Sequence, residues 1–418
     1  MSSPPPADPP PAASPSDLPL PRIVYVLSAI ALCVAVGFGI LAPAVPVFAR
    51  DFGVGRTAAA LVVSMFAAAR MASALGVGKL IDVIGPRQVL GAGLVIVAVS
   101  SGVAGLSQTY VQLLVLRGAG GVGSAMFTVA ASSLLAQAIP SAVRGRAMSL
   151  WSGAFLFGSV LGPVIGAPLL AIGLRAPFFF YAATLSVAAL VAYVALPRSP
   201  RRARRDTDLG TGITADDDEP REGIREAWRL PQFRVALVAD LAGSWTMSVR
   251  LAIVPLFVTE MLLLGDAWSG YGLAIAAAAN AALLIPFGRW SDSRGRLGIV
   301  AIGGVASALA MGLLAAPAAL WIFVLAMAIS GIGSAAQAVG PGAILGDVAN
   351  GRRGSVIATY QMIGDVGSLV GPLTAGLLVD LGGYGWGFGV TAALSAVSAA
   401  IAVTATRRAR SGPRPSTG

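Results

Sequence analysis

Long apolar runs alternate with short polar breaks along the chain, and this pattern predicts membrane-spanning helices. The runs are continuous and reach about 20 residues, the length at which a helix crosses the hydrocarbon core of a bilayer. They lack the polar–apolar alternation that a transmembrane β-barrel needs. We therefore expect an all-α polytopic membrane protein with twelve spans, at 23–48, 57–81, 88–107, 109–137, 146–171, 176–197, 233–261, 268–289, 297–316, 319–347, 354–380 and 385–406.

Three polar segments divide these runs. Residues 1–22 are rich in proline and are expected to form a disordered tail, residues 198–232 form a charged linker, and residues 407–418 form a basic tail. They leave two six-span units, at 23–197 and 233–406.

The composition excludes most other classes of protein. Of the 418 residues, 56% are hydrophobic and 11% are charged, whereas a soluble domain carries about 25% charged residues. A cytosolic enzyme and a disordered chain are therefore excluded. The single cysteine, Cys33, excludes an intrachain disulfide scaffold. Because the chain has no histidine, proton chemistry inside the membrane has to use carboxylates.

The basic residues predict the orientation. With both termini in the cytoplasm, 23 of the 29 lysines and arginines lie on the inner side. Arg50, Arg56 and Arg175 fall in outer loops, and Arg70, Arg117 and Arg250 fall within spans. Cytoplasmic loops are enriched in Lys and Arg, so the net charge of +10 indicates topology in the plasma membrane rather than a nucleic-acid surface.

The two halves of the chain repeat. Three pairs of matching segments lie 209 or 210 residues apart. They are the Gly-x-x-x-Asp segments that contain Asp82 and Asp292, the Gly-x-Gly-Ser-Ala segments that begin at Gly121 and Gly331, and the Gly-x-x-x-Gly-Pro segments that begin at Gly158 and Gly367. This duplication suits a transporter that rocks one half against the other around a central site.

These segments resemble the motifs of the major facilitator superfamily, over nearly the whole chain. The loop motif of that family occurs twice, as Gly78, Asp82, Gly85 and Arg87 and as Gly288, Asp292, Arg294, Gly295 and Arg296. Arg117 begins a segment that resembles its Arg-x-x-Gln-Gly motif, with Gly120 in place of glutamine. The fifth-span motif is similar to that of the twelve-span drug:proton antiporters. The resemblance implies two pseudo-symmetric six-helix bundles, no cofactor, a proton gradient as the energy source and a small-molecule substrate.

The resemblance also implies a gating role for the loop motif. In the family, the aspartate holds the two bundles together at the start of the eleventh span, which lies near Gly354 here. The usual basic residue after the aspartate is replaced by Val83, which leaves Arg87 to form the pairing. The alternative is that the motif only anchors positive charge at the inner surface.

Charged residues within spans are functional candidates, because an unpaired ion in the membrane is costly. Arg117 matches a family arginine implicated in proton transfer, or it organises hydrogen bonds. Arg70 either faces the cavity or braces a neighbouring helix. Asp240 and Asp365 are the two acids clearly within spans and are candidate proton carriers, with Asp365 preferred. The alternative for each acid is a permanent pair with an arginine on another helix.

A glycine stripe marks the fifth span. Residues four apart share a helix face, and small residues allow close helix contact. The two copies of this helix-packing motif are Gly158, Gly162, Pro163 and Gly166, and Gly367, Gly371 and Pro372. The resemblance implies that these two helices meet across the pseudo-two-fold interface and favour exchange. Plain helix packing is the alternative.

The substrate cavity is expected between the bundles. Candidate lining residues are Arg70, Met126, Phe127, Trp245, Met247, Arg250, Asn280 and Gln337. The first span has no acid, which favours neutral or amphipathic substrates over cations.

The main hypothesis is a monomeric, proton-coupled exporter of small molecules. The alternatives are a nutrient or sugar and polyol importer or facilitator on the same fold, and a non-transporting membrane receptor. An ATP-driven pump is excluded because the chain lacks a phosphate-binding loop and its only lysine is Lys79. No catalytic or metal site is predicted, and the chain is not expected to be an enzyme.

Overall fold

The computed structural model describes residues 19–139, 143–196, 225–348 and 353–411. The helices are α1 (Arg22–Leu41), α2 (Ala44–Arg50), α3 (Arg56–Ile84), α4 (Pro86–Ala104), α5 (Tyr110–Ala138), α6 (Arg144–Ile172), α7 (Ala176–Ala195), α8 (Pro231–Glu260), α9 (Ala267–Arg294), α10 (Arg296–Ala315), α11 (Leu320–Val348), α12 (Arg353–Gly382) and α13 (Tyr384–Ser411). The first two helices together form span one, and each later helix forms one span, so that α3 is span two and α13 is span twelve.

The described ranges contain twelve spans that are long and apolar enough to cross a membrane. This confirms the predicted fold class, and the predicted bounds agree with the helices to within about five residues. Span one was expected to be continuous, but it breaks between α1 and α2, at Ala42 and Pro43. Proline has no N–H to continue the helical ladder. The predicted tail at 1–18, most of the linker and residues 412–418 lie outside the described residues.

The spans form two bundles with the same internal packing. In the first bundle span one packs on spans five and six, span four packs on spans two and three, and span three also packs on span six. The second bundle repeats this arrangement with spans seven to twelve. The bundles meet along two seams, where span two packs on span eleven and span five packs on span eight.

The two ends of the bundles are defined by the chain termini and by the loops that lie at each end. Because the number of crossings is even, both ends of the described chain lie on one side, here termed the terminal end. Asp82 and Asp292 lie there, followed by the turns at Gly85 and Gly295, whose φ angles of 91° and 97° favour glycine. The other side, with the loops after odd-numbered spans, is termed the opposite end.

The glycine stripe of span five packs on span one within the same bundle. A Cβ atom at Gly162 would lie 2.7 Å from the Cα atom of Gly39, and one at Gly158 would lie 2.7 Å from the Cβ of Ala35. In the second bundle, Gly371 lies against Trp245 of span seven. The stripes therefore bring each helix close to a neighbour in its own bundle, which differs from the predicted contact across the pseudo-two-fold interface.

Other small residues close the seams between the bundles. A Cβ at Gly270 of span eight would lie 2.6 Å from the Cα of Ala167 in span five. A Cβ at Gly376 of span eleven would lie 2.9 Å from the Cα of Thr57 in span two. The sequence motifs did not point to these positions, because neither glycine belongs to a repeated motif.

We predict that Gly162→Leu destabilises the protein while Gly153→Leu does not. The leucine at 162 would overlap span one, and overpacking typically costs about 1–3 kcal/mol. At Gly153, on the same helix, an added Cβ meets no atom within 4 Å. Thermal unfolding of the two purified variants, followed by tryptophan fluorescence, measures the difference. Equal unfolding temperatures for both variants would contradict the packing described here.

Candidate functional site

A cavity of about 310 Å³ lies within the second bundle. Its polar and sulfur-containing lining comes mainly from spans seven, eight and ten, and includes Asp240, Met247, Arg250, Asn280, Ser334 and Gln337. Four of the predicted substrate-cavity residues, Met247, Arg250, Asn280 and Gln337, are thus brought together with one of the two candidate proton carriers. A volume of this size is at the lower end for small-molecule sites.

Other predicted cavity residues lie elsewhere. Met126 and Phe127 are 7% and 4% exposed and belong to the core of the first bundle, where they face Gly93 of span three. Trp245 packs against Gly371, and its Nε1 donates to the Thr391 hydroxyl at 3.4 Å. The sequence could not separate these orientations, because spans four and seven are apolar on most sides.

Arg250 is buried in this cavity with neutral partners. Its side chain is on span seven, the residue is 6% exposed, and Nη1 donates to the hydroxyl oxygens of Ser330 at 2.5 Å and Ser334 at 3.0 Å. Its other contacts are the Ser330 carbonyl oxygen and the sulfur of Met247. In the described ranges no carboxylate forms an ion pair with Arg250, and its Nε has no acceptor.

Arg70 and Asp365 form an ion pair between the two bundles. The Arg70 Nη2 lies 2.6 Å from Oδ1 of Asp365. Arg70 is the central residue of α3, with 14 residues on either side, so the pair lies near the middle of the membrane. Of the two roles predicted for Arg70, the structure shows the brace on a neighbouring helix, and that helix belongs to the other bundle.

Asp240 lies close to this pair. It lines the cavity, and the Tyr360 hydroxyl of span eleven lies near its carboxylate. Its carboxylate is near enough to that of Asp365 for the two charges to repel each other. The two candidate proton carriers therefore belong to one polar cluster at the seam of spans two, seven and eleven.

Arg117 has an aromatic rather than an acidic environment. It is 5% exposed, and its guanidinium carbon lies 4.6 Å from the ring centroid of Phe66. No described carboxylate forms an ion pair with it, and its Nε has no acceptor. The attraction of a cation to a ring face helps to offset the cost of burying this charge.

A charged network at the opposite end joins the two bundles, and we term it the Glu260 network. The Glu260 carboxylate of span seven accepts hydrogen bonds from Arg50 Nε at 2.8 Å and Arg56 Nε at 2.6 Å. It also accepts one from the hydroxyl of Tyr384 at 2.9 Å. Both arginines lie in predicted outer loops, and no sequence motif assigns them a role. Arg50 and Glu260 are 210 residues apart, which is the offset of the internal repeat. They therefore occupy equivalent positions in the two halves, and their contact places them near the pseudo-two-fold axis.

Asp380 extends the network by capping span two. Its carboxylate accepts from the backbone N–H groups of Arg56 at 3.1 Å and Thr57 at 2.8 Å, and from the Thr57 hydroxyl at 2.6 Å. A carboxylate at a helix N-terminus satisfies free N–H groups and complements the helix dipole. Because Asp380 ends span eleven, this cap ties one bundle to the other.

Two loop carboxylates lie beside the Glu260 network. Partial burial raises the pKa of the Asp266 carboxyl, and the negative charge of Asp51 in the other half raises it further. Protonation of Asp266 removes this repulsion.

The loop motifs at the terminal end contact their own bundles. Arg87 donates to the backbone carbonyl oxygen of Tyr193 at the end of span six, and Arg296 pairs with Asp347 of span ten at 2.6 Å. In the described residues Arg87 contacts its own bundle, where the end of span six lies next to the start of span three. Its predicted pairing with the other bundle stays a prediction. The predicted contact of Asp82 with the start of span eleven involves side chains outside the described part, and the side chain of Arg294 also lies outside it.

Comparisons with known proteins agree with this architecture. The chain is 22% identical over 371 residues to an uncharacterized MFS-type transporter of Methanocaldococcus jannaschii, covering 87% of this chain and 92% of that protein. It is 22% identical to Multidrug resistance protein 1 of Bacillus subtilis, covering 82% and 86%. It is 27% identical over 180 residues to the quinolone resistance protein NorA of Staphylococcus aureus, covering 43% and 46%.

Solved structures show the same fold. A bacterial homologue of the human lysosomal transporter Spinster, in an inward-facing and unoccupied conformation, superposes with a TM-score of 0.75 at 16% identity and covers 96% of this chain and 100% of that chain. The model of the Major Facilitator Superfamily matches residues 27–279 and 267–418. The chain therefore belongs to the Major Facilitator Superfamily and is a multi-pass membrane transporter, not an enzyme.

Proposed function

We propose that this transporter exports a small molecule from the cytoplasm in exchange for protons, by alternating access. The observation that carries the proposal is the Arg70–Asp365 ion pair, which joins the two bundles at mid-depth. An ion pair that crosses a moving interface links the protonation of its acid to the separation of the bundles.

The bundles are held together from the opposite end to mid-depth. Along the seam of spans two and eleven, the Asp380 cap is followed by a hydrogen bond of 2.8 Å from the Ser64 hydroxyl to the Leu369 carbonyl, and then by the Arg70–Asp365 pair. Beyond Arg70, span two becomes exposed, and Val83 near its end is 76% exposed. We interpret this arrangement as the inward-facing state, with the terminal end open to the cytoplasm.

Proton coupling would act on Asp365. Protonation removes its negative charge and with it the Coulomb attraction to Arg70, so this part of the seam is free to separate. Asp240, the other candidate proton carrier, lies near Asp365. Asp240 also lines the cavity, which offers a route for substrate binding to influence the same proton.

The direction of transport is supported by the names of the relatives. Multidrug resistance protein 1 and the quinolone resistance protein NorA are named for resistance to drugs, and resistance by a transporter requires export. We therefore favour efflux over the alternative of a nutrient importer. The proposal includes the plasma membrane as the location, both termini in the cytoplasm and a monomer as the working unit.

We predict that Asp365→Asn abolishes proton-coupled transport. The amide cannot bind and release a proton, so substrate-induced proton movement should disappear. The measurement is substrate-dependent proton release from proteoliposomes with an imposed pH gradient, tested over a panel of drug-like compounds. Asp216→Asn is the control, because it removes a carboxylate from the charged linker at 198–232. Loss of coupling in Asp240→Asn but not in Asp365→Asn would assign the proton to span seven instead.

We predict that Glu260→Gln and Asp380→Asn each open the opposite end. Both substitutions weaken charge-assisted hydrogen bonds between the bundles. Leu251 of span seven lines a small cavity next to Arg117, and Leu251→Cys reports on access in a chain whose Cys33 is replaced by alanine. A membrane-impermeant maleimide added outside cells should label this cysteine faster in either variant.

Arg175→Gln is the matched control for this labelling experiment. Arg175 lies at the same end, but its guanidinium contacts the ring of Phe48 in its own bundle. Labelling that is equally slow in all variants would contradict a gating role for the network.

We predict opposite labelling for the two ends of the molecule. In the same cysteine-free background, Gln108→Cys should react with the impermeant maleimide in intact cells, and Ser293→Cys should react only after the cells are permeabilised. Both positions are exposed. The reverse pattern would invert the proposed orientation.

A further inference from the structure

We propose that the substrate carries a single oxyanion group, such as a carboxylate, and that Arg250 binds it in the cavity of the second bundle. This inference rests on the proposed transport function and names the chemical class of the substrate. An anionic substrate differs from the sequence-based expectation. The absence of an acid in span one favoured neutral or amphipathic substrates.

The charge of Arg250 is not compensated within the described protein. A buried cation is ordinarily paired with a carboxylate, because its desolvation penalty is large. The nearest polar partners of Arg250 are the Ser330 and Ser334 hydroxyls, which carry no charge. Its Nε–H is buried without an acceptor. A planar guanidinium matches the geometry of a carboxylate.

Further unpartnered polar groups lie around the same space. Both amide atoms of Gln337 and the Oδ1 atom of Asn280 are buried without a hydrogen-bond partner, and both residues line the cavity with Arg250. Buried polar groups are nearly always satisfied in proteins. Hydrogen-bond donors and acceptors without partners, next to a cation without a counter-ion, indicate that a polar ligand completes the site.

The scaffold itself does not require this charge. The repeat offset of 210 residues places Ile40 at the position of Arg250 in the first bundle, and Ile40 is fully buried in its apolar core. The arginine is therefore a feature of the cavity in the second bundle alone.

The cavity also limits the size and charge of the ligand. About 310 Å³ suits a small organic molecule at the lower end of the usual range. Asp240 lines the same cavity, and its negative charge disfavours a second anionic group on the substrate. A small organic monoanion fits both conditions better than a dianion or a large hydrophobic drug.

The test uses the purified full-length protein and three matched sets of small aromatic compounds: monocarboxylates, the corresponding neutral amides and the corresponding amines. Thermal stabilisation at millimolar concentration identifies binders, and titration calorimetry gives their affinities. We expect the carboxylates to stabilise the protein, and Arg250→Gln to weaken their binding about 10- to 100-fold, the loss typical of a charged hydrogen bond. Arg250→Lys should restore part of the affinity.

The control is Arg229→Gln, which removes a positive charge from an exposed position before span seven and should leave binding unchanged. If Arg250→Gln does not give a monodisperse protein, Arg250→Lys and Gln337→Ala serve in its place, and each should weaken carboxylate binding. Stabilisation by amines or amides only, carboxylate binding that is as tight in the Arg250 variants as in the unsubstituted protein, or no binding by any carboxylate would overturn the proposal.

The outcome is separable from that of the transport proposal. Carboxylate binding that depends on Arg250, together with a failure of proton coupling in proteoliposomes, would retain the site and reject the antiport mechanism. Proton-coupled transport of cations that is unaffected by Arg250→Gln would retain the antiport mechanism and reject the carboxylate site.

Discussion

A charge inside a membrane needs a partner, and in this protein the partner of a central charge lies on the other half of the molecule. Arg70 in span two and Asp365 in span eleven are joined at 2.6 Å near the middle of the bilayer. Neither charge is stable alone in that environment. The contact of the two bundles therefore depends on the charge of Asp365, and this dependence is the physical basis of the proton coupling that we propose.

The two halves share a fold but differ in the polar residues of their interiors. Their helices pack in the same order, yet the polar cavity lies in the second bundle, where Arg250, Asn280 and Gln337 converge. In the first bundle, Met126 and Phe127 fill the core, and Arg117 rests on the ring of Phe66. In the mechanism that we propose, the duplicated scaffold provides the movement and the polar residues of one half provide the recognition of the substrate.

The sequence predicted the fold far better than the site. Apolar run length and the 210-residue repeat were sufficient for twelve spans in two bundles, because helix length in a bilayer is a strong constraint. The sequence did not predict which residues of a span face a cavity and which face a core. Met126 and Asn280 both lie on largely apolar helices, and only packing determines that one is in a core and the other in a cavity. The Glu260 network was missed because its residues come from spans one, two, seven, eleven and twelve, which only the folded structure brings together.

The measurement that tests this account most directly follows the distance between the bundles at both ends. Spin labels at Gln108 and Ala318 report on the opposite end, and labels at Val83 and Ser293 report on the terminal end. Each pair lies 210 residues apart in exposed positions. When pH is varied across the titration of the seam, double electron–electron resonance should show one pair separating as the other approaches. Distances that stay fixed, or that change in the same direction at both ends, would contradict alternating access controlled by Asp365.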